Sequence, residues 1–89
     1  MLLLSTYQMY TRIMFDVKLG KYRHYKGNEY EVIGVAKHSE TLEDLVVYRA
    51  LYDSEDFGLN SLWVRPKDMF CEKVTVGGVE KPRFEYIGT

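Results

Sequence analysis

Aromatic and arginine side chains stand close together in two apolar segments in the middle of the chain. The first segment carries Tyr48 followed by Arg49, and the second carries Trp63 with Arg65 two positions later. Arginine grips carboxylates and phosphates through paired N–H groups, and it also stacks on aromatic rings. These four residues are therefore candidate ligand-binding residues in a groove. The alternative is that the rings fill the core while the arginine stems cover it.

A second candidate is the pair His38 and Glu40. Positions i and i+2 of a strand share a face, so an imidazole and a carboxylate there could meet one ligand or act as acid and base. The alternative is a polar loop in which both side chains bond the neighbouring backbone. We therefore add the pair to the candidate ligand-binding residues, and we assign no catalytic residue.

The sequence gives little support for a metal site or for a reactive cysteine thiol. His24, His38 and the single cysteine, Cys71, match no compact ligand spacing, so we expect no metal and no cofactor. Cys71 follows Phe70 in a strand-like context, which predicts a buried or half-buried structural residue rather than a nucleophile. One cysteine allows no internal disulfide, and this fits a reducing cytoplasm.

Composition limits the classes of function. The 89 residues are 46% hydrophobic and 28% charged, which is typical of one folded domain. The net charge of −1 argues against bulk nucleic-acid binding, which usually needs a strongly basic face. The initial apolar run stops at Ser5 without a cleavage site, and no segment has the length of a membrane span. We therefore expect no membrane contact and a cytoplasmic location.

The strands follow from alternation and turn chemistry. Residues 30–37 alternate in polarity, and residues 45–52 form the strongest strand pattern, followed by a shorter one at 61–65. Pro66 begins a tight turn because proline presets φ. Gly77-Gly78 predicts a hairpin between residues 70–76 and 79–87, since both glycines accept positive φ. Within residues 61–65, Leu62 and Val64 are expected to face the core, which would turn Trp63 outward.

These elements predict a mainly β fold. We expect a small SH3-like barrel of five or six short, mostly antiparallel strands, with one 3₁₀ turn at residues 66–70 whose Met69 or Phe70 closes the barrel end. The barrel is assigned to residues 20–89. Residues 1–19 are assigned as an N-terminal extension or arm, because their pattern lacks a clear period and Met14 offers a second plausible start.

Several short motifs follow one another along residues 20–87. They are Tyr22-Arg23-His24-Tyr25-Lys26-Gly27, Tyr30-Glu31-Val32, Ala36-Lys37-His38-Ser39-Glu40-Thr41, Val46-Val47-Tyr48, Leu51-Tyr52, Trp63-Val64-Arg65-Pro66, Met69-Phe70 and Pro82-Arg83-Phe84. Together they resemble a bacterial family, the domain-of-unknown-function family sixteen-fifty-three. The resemblance implies a small single-domain protein with an SH3-type barrel, and it implies no known activity, substrate or cofactor. Residues before Met14 lie outside the pattern, and loop 53–61 looks longer here.

The candidate residues favour a small binding module that recognises an extended peptide, a small molecule or a nucleotide. Its ligand-binding residues would be His38, Glu40, Tyr48, Arg49, Trp63 and Arg65. A small hydrolase or isomerase using His38 and Glu40 is one alternative, and a structural or oligomerisation module is another. The partner would be a small ligand or a protein segment, and a homo-oligomer stays open. One concave pocket lined by these residues would support binding or catalysis, whereas scattered positions would support an interaction role.

Overall fold

The computed structural model describes residues 17–89. Residues 1–16 of the predicted N-terminal extension, which include the second plausible start at Met14, lie outside the described residues. In chain order the elements are β1 (Gly20–His24), β2 (Glu29–Lys37), β3 (Asp44–Ala50), β4 (Asp53–Ser54), β5 (Gly58–Leu59), β6 (Leu62–Pro66), α1 (Lys67–Phe70), β7 (Lys73–Val76), β8 (Val79–Pro82) and β9 (Phe84–Gly88).

The central sheet has five antiparallel strands in the order β6-β3-β2-β1-β9. Two short ladders, β4–β5 and β7–β8, lie in the connections on either side of β6. Within this sheet β1, β2, β3 and β6 form a meander, and β9 returns to pair with β1. This arrangement confirms the predicted mainly β class. The order ends at β6 and β9, and closure into an SH3-like barrel stays a prediction.

Two features predicted from glycine and proline chemistry are confirmed. Gly77 and Gly78 have φ values of +57° and +79°, and they connect β7 and β8 with Val76 opposite Val79. Two positive φ values in succession give a primed turn whose twist matches that of the paired strands. The arms are shorter than predicted: β8 ends at Pro82, which has no N–H to donate to a ladder, and β9 begins after it.

The helical turn α1 also lies where the proline predicted it. Its backbone bond runs from the Cys71 N–H to the Lys67 carbonyl at 3.0 Å, a spacing of four residues that is α-helical rather than 3₁₀. Phe70 is 2% exposed and Met69 is 48% exposed, so Phe70 is the residue that plugs the core. The prediction of a buried or half-buried Cys71 is wrong. Phe70 takes the inward position where the turn ends, and the next side chain lies on the surface.

Aromatic rings make up most of the core. The buried cluster consists of Tyr22, Val32, Val46, Tyr48, Phe70 and Phe84. Phe70 and Phe84 stack with centroids 4.2 Å apart and an interplanar angle of 7°. Large flat side chains let a small sheet fill its interior with few residues. The core therefore includes a ring contact between α1 and β9, the last strand in the sheet order.

The register of β6 reverses the face expected for its side chains. Leu62 and Val64 are 62% and 60% exposed, so the prediction that they face the core is wrong. Trp63 pairs with the buried Tyr48 across the β3–β6 ladder, and directly paired residues share a face of the sheet. Trp63 therefore lies on the core face at the edge of the sheet. Both faces of β6 carry apolar residues, so alternation alone could not choose between them.

Among residues 17–89, no helix is long and apolar enough to cross a membrane.

Candidate functional site

The six predicted ligand-binding residues lie in three places. Tyr48, Trp63 and Arg65 share the core face of β3 and β6. Arg49 follows Tyr48 on β3 and therefore points to the outer face, where its Nε lies 3.0 Å from Glu31 Oε1. His38 lies in the β2–β3 connection together with the remaining residue, Glu40. The structure thus brings Tyr48, Trp63 and Arg65 together. It places His38, Glu40 and Arg49 apart from them.

The imidazole of His38 is used within its own turn. Its Nδ1 accepts hydrogen bonds from the backbone N–H groups of Glu40 and Thr41, at 3.1 and 3.3 Å. The backbone adds a bond from the Leu42 N–H to the His38 carbonyl at 2.8 Å. Because these residues form a turn rather than a strand, the i and i+2 side chains do not share a sheet face. This geometry is the one that the polar-loop alternative describes for His38.

The core face of the sheet carries a continuous group of rings around one arginine. We call it the aromatic face, and it consists of His24, Tyr30, Tyr48, Tyr52, Trp63, Arg65 and Phe84. The ring of Tyr30 lies at its centre, with centroids 5.4 Å from Tyr48, 5.7 Å from Tyr52 and 5.8 Å from Phe84. These are edge-to-face contacts, the arrangement that ring quadrupoles favour. Tyr48 and Phe84 form the buried floor, and the other members are partly exposed.

Tyrosine hydroxyls line part of the rim of this surface. The hydroxyls of Tyr30 and Tyr52 lie 2.9 Å apart and share a hydrogen bond. Burial, followed by this bond to Tyr52, raises the pKa of Tyr30. Tyr30 therefore stays neutral at physiological pH, and a tyrosine hydroxyl can donate a hydrogen bond to a ligand or accept one from it.

Arg65 is held on the aromatic face by uncharged groups. Its Nε donates to the Tyr48 hydroxyl at 3.4 Å, and its Cζ lies 5.5 Å from the centroid of the Phe84 ring. Among residues 17–89, no carboxylate lies within ion-pair distance of this half-buried guanidinium. Arg65 therefore presents positive charge to whatever occupies the aromatic face.

Trp63 forms the end of the aromatic face nearest β5. The side chain is 36% exposed, and its Nε1–H donates to Ser61 Oγ at 2.9 Å. The indole contacts Phe57 edge-to-face at 5.0 Å. Phe57 is itself 61% exposed, so apolar ring surface continues from the aromatic face into the β4–β5 turn.

His24 is the member of the aromatic face that also lines a neighbouring cavity. Its ring contacts Phe84 edge-to-face at 4.9 Å and Tyr25 in a tilted arrangement at 4.6 Å. Burial first, and then the charges of Arg65, Arg83 and Lys26, lower the pKa of His24 below its ordinary 6.5. The cavity measures about 310 Å³ and is lined by Arg23, His24, Tyr25, Gly27, Lys81, Pro82 and Glu85.

Five residues of this region were not among the predicted ligand-binding residues: His24, Tyr30, Tyr52, Phe57 and Phe84. His24 was considered as a metal ligand and as a base beside Cys71, but not as a member of a ligand-binding surface, although the aromatic and basic run around it was a usable signal. Phe84 and Phe57 received no role, and nothing local to them indicates that they meet Arg65 and Trp63.

Among the described residues, no group of three histidine, cysteine or acidic side chains could hold a metal ion.

The comparisons with known proteins give a family and a fold. The model of a family described as "Protein of unknown function (DUF1653)" matches residues 20–86. A crystal structure of a DUF1653 protein from Bordetella bronchiseptica is similar, with 41% sequence identity and a TM-score of 0.74. That similarity covers 84% of this chain and 92% of the other. No curated protein matches the chain.

Proposed function

The chain belongs to the family described as "Protein of unknown function (DUF1653)", and we propose that it is a small binding module whose aromatic face receives a ligand. The ligand carries an anionic group next to a flat or apolar group. An extended peptide, a small molecule or a nucleotide can have this chemistry. The observation that carries the proposal is Arg65, a half-buried guanidinium without an acidic partner among the described residues.

The partial burial of Arg65 favours an opposite charge beside it. A charge removed from water loses hydration, and an opposite charge with good geometry restores part of that loss. The Tyr48 hydroxyl orients the guanidinium through Nε, which leaves the two terminal nitrogens to form a forked pair with a carboxylate or a phosphate. An anionic ligand group would supply the missing partner.

The rings beside Arg65 provide the second half of the recognition. Trp63 and Tyr52 are partly exposed on the same face, and Phe57 extends this apolar surface. Aromatic side chains bind flat groups by stacking and lose little rotamer freedom when they do so. The pattern of partly exposed rings around one charged donor is typical of a ligand site.

The placement of His38 and Glu40 favours interaction over chemistry. His38 Nδ1 is occupied by backbone N–H groups of its own turn. Neither residue belongs to the aromatic face. No observation in the described residues favours a hydrolase or an isomerase that would use this pair.

The test uses Trp63, the single tryptophan of the chain, as its reporter. Native mass spectrometry of the purified protein identifies a co-purified ligand, and titration of that ligand should change the indole fluorescence. Arg65→Gln should weaken binding at least tenfold. The matched control is Arg49→Gln on the outer face, which should bind like the wild type. Equal losses in both variants, or an unchanged affinity in Arg65→Gln, would contradict the proposal.

A further inference from the structure

Strand β6 forms one end of the central sheet, and one of its two sides has no neighbouring strand. Among the described residues, β6 pairs with β3 alone. An edge strand leaves a row of backbone N–H and C=O groups open to pairing with another extended chain. The side chains of Leu62 and Val64 are 62% and 60% exposed, so the described part of the chain leaves this strand open.

The hydrogen bonds of β3 fix which backbone groups of β6 point to the open side. The Ala50 N–H donates to the carbonyl of Ser61, its directly opposed residue, at 2.9 Å. In an antiparallel ladder, opposed residues exchange hydrogen bonds at every second pair. Every second residue after Ser61 therefore bonds β3. Leu62 and Val64 lie between these positions, and they direct their N–H and C=O groups to the free edge.

The other end of the sheet is less suited to pairing. β9 meets β1 with a shift of register between Lys21 and Tyr22, whereas the β3–β6 ladder runs without a shift. Irregular pairing and charged side chains are two features by which proteins block a sheet edge. β9 also carries Glu85, and β6 has no acidic residue. β6 is therefore the regular and more apolar edge of the sheet.

A strand added to β6 places every second side chain on the aromatic face. Its residues opposite Trp63 and Arg65 share the core face with them. These two positions form no backbone bond on the open side, and in such pairs the side chains approach most closely. Arg65 has no carboxylate within ion-pair distance among the described residues, so an acid is the complementary residue opposite it.

The position of the guanidinium selects the longer acid. Arg65 Nε bonds the Tyr48 hydroxyl and Cζ lies near the Phe84 ring, so the charged group lies over the sheet rather than at its edge. Glutamate has one methylene more than aspartate and follows the arginine stem further across the core face. Opposite Trp63, an aromatic residue meets the exposed part of the indole.

We propose that β6 receives an extended peptide as a sixth, antiparallel strand of the central sheet. From its N-terminus, the peptide places a glutamate opposite Arg65, an apolar residue opposite Val64, an aromatic residue opposite Trp63 and an apolar residue opposite Leu62. The antiparallel direction is that of every strand pair in this sheet. The inference rests on the proposed function, since it names an acidic peptide as the ligand of the aromatic face.

The probe is the blocked peptide acetyl-Thr-Glu-Val-Phe-Val-Lys-amide, which leaves Trp63 as the single indole in the sample. It is titrated into the isotope-labelled full-length protein and followed by NMR and by indole fluorescence. At saturation, hydrogen exchange of the Leu62 and Val64 amides should slow by roughly tenfold, because both N–H groups gain an acceptor. Unchanged exchange of these two amides in the saturated complex overturns the inference.

Two N-methylated peptides separate strand pairing from side-chain contact alone. A methyl group on the nitrogen of the first valine removes the N–H that donates to the Val64 carbonyl, and it should weaken binding about tenfold. A methyl group on the phenylalanine nitrogen, which points away from β6, should leave the affinity unchanged. If the two methylated peptides bind equally, the added strand is ruled out.

A double-mutant cycle tests the acidic residue. Replacement of the peptide glutamate by glutamine should weaken binding to the wild type about tenfold and should have little effect in Arg65→Gln. Arg49→Gln, on the outer face, is the matched control and should bind like the wild type. Peptide binding that ignores Arg65 contradicts this inference and the proposed function together. Binding that needs Arg65 without protecting Leu62 and Val64 contradicts this inference alone.

Other occupants of the edge give a different result in the protein without peptide. Protection of the Leu62 and Val64 amides that rises with protein concentration shows that a second copy pairs with β6. Protection that is independent of concentration shows that another part of the same chain covers the edge. Either result overturns the inference.

Discussion

Two arginines on neighbouring strands show how position alone gives one residue type two roles. Arg49 on β3 lies on the outer face and forms an exposed ion pair with Glu31 at 3.0 Å. Arg65 on β6 lies on the core face with an aromatic hydroxyl and a ring as its neighbours. A surface pair of the first kind contributes little to stability. The second guanidinium has the features of a recognition group.

Replacement of Trp63 by alanine should cost less stability than replacement of a plug residue. Trp63 is 36% exposed, so part of its surface already contacts water in the folded state. Phe70→Ala, at a position that is 2% exposed, should cost about 3–5 kcal/mol, the range for large buried rings. Chemical denaturation followed by circular dichroism compares the two variants. Equal losses would show that Trp63 is a core residue, and the aromatic face would then lack its open end.

The lowered pKa of His24 predicts a pH-dependent stability. The unfolded chain binds a proton near the ordinary value of 6.5, whereas the folded protein resists it because of burial and the charges of Arg65, Arg83 and Lys26. The unfolded state therefore holds more protons in this window, and stability falls as the pH drops below about 6.5 toward the folded pKa.

Urea denaturation across this pH range measures the effect, and His24→Gln should remove that slope. The control is His38→Gln, which should keep it. A slope that is unchanged in His24→Gln would assign the proton uptake to other groups.

At the scale of secondary-structure elements, glycine conformation fixes the seam between β1 and β9. Gly20 has a φ of +131°, and a Cβ built there would lie 2.8 Å from the Gly88 carbonyl oxygen. Gly20→Ala should therefore destabilise the protein by at least 1–2 kcal/mol, roughly the cost of a side chain in left-handed backbone, with the clash in addition. Gly34→Ala is the control, since a Cβ there meets nothing within 4 Å and φ is not positive.

Thermal melts of both variants test this prediction. If Gly20→Ala melts at the temperature of Gly34→Ala, the β1–β9 seam is more tolerant than its geometry indicates.

At the scale of the whole molecule, the sheet brings its two ends together over the core. Arg65 of β6 contacts the ring of Phe84 in β9, although β6 and β9 stand at opposite ends of the strand order. Val17 packs against the same core, and the Tyr22 hydroxyl donates to the Lys18 carbonyl at 2.8 Å. The contacts of the described domain therefore begin before β1.

A chain that begins at Met14 keeps Val17 and Lys18 and should retain the stability of the full-length protein. Differential scanning calorimetry compares the two, and the expected change in melting temperature is within about 2 °C, less than that of a 1 kcal/mol perturbation. A second truncation that begins at Lys21 should melt lower, because it removes the core contact of Val17. A large decrease in the chain that begins at Met14 would show that residues 1–13 contribute to the fold.

The sequence by itself determined those features whose causes are local. Successive glycines fixed the β7–β8 turn at Gly77-Gly78, and Pro66 fixed the start of α1 because it presets its own φ. Alternation identified β2, β3 and β6 as strands, and hence the mainly β class. The closeness of aromatic and arginine residues in the sequence also identified Tyr48, Trp63 and Arg65, three of the residues that form the aromatic face.

Only the tertiary structure decided how these elements meet. Alternation gives two faces to β6, and the pairing of Trp63 with Tyr48 was needed to choose the inner one. His24, Arg65 and Phe84 come from strands that are distant in the sequence, and they meet because the long-range pairing of β9 with β1 closes over the core. No local sequence pattern predicts this three-residue contact, because each of the three side chains fits equally well on a strand that has no contact with the other two.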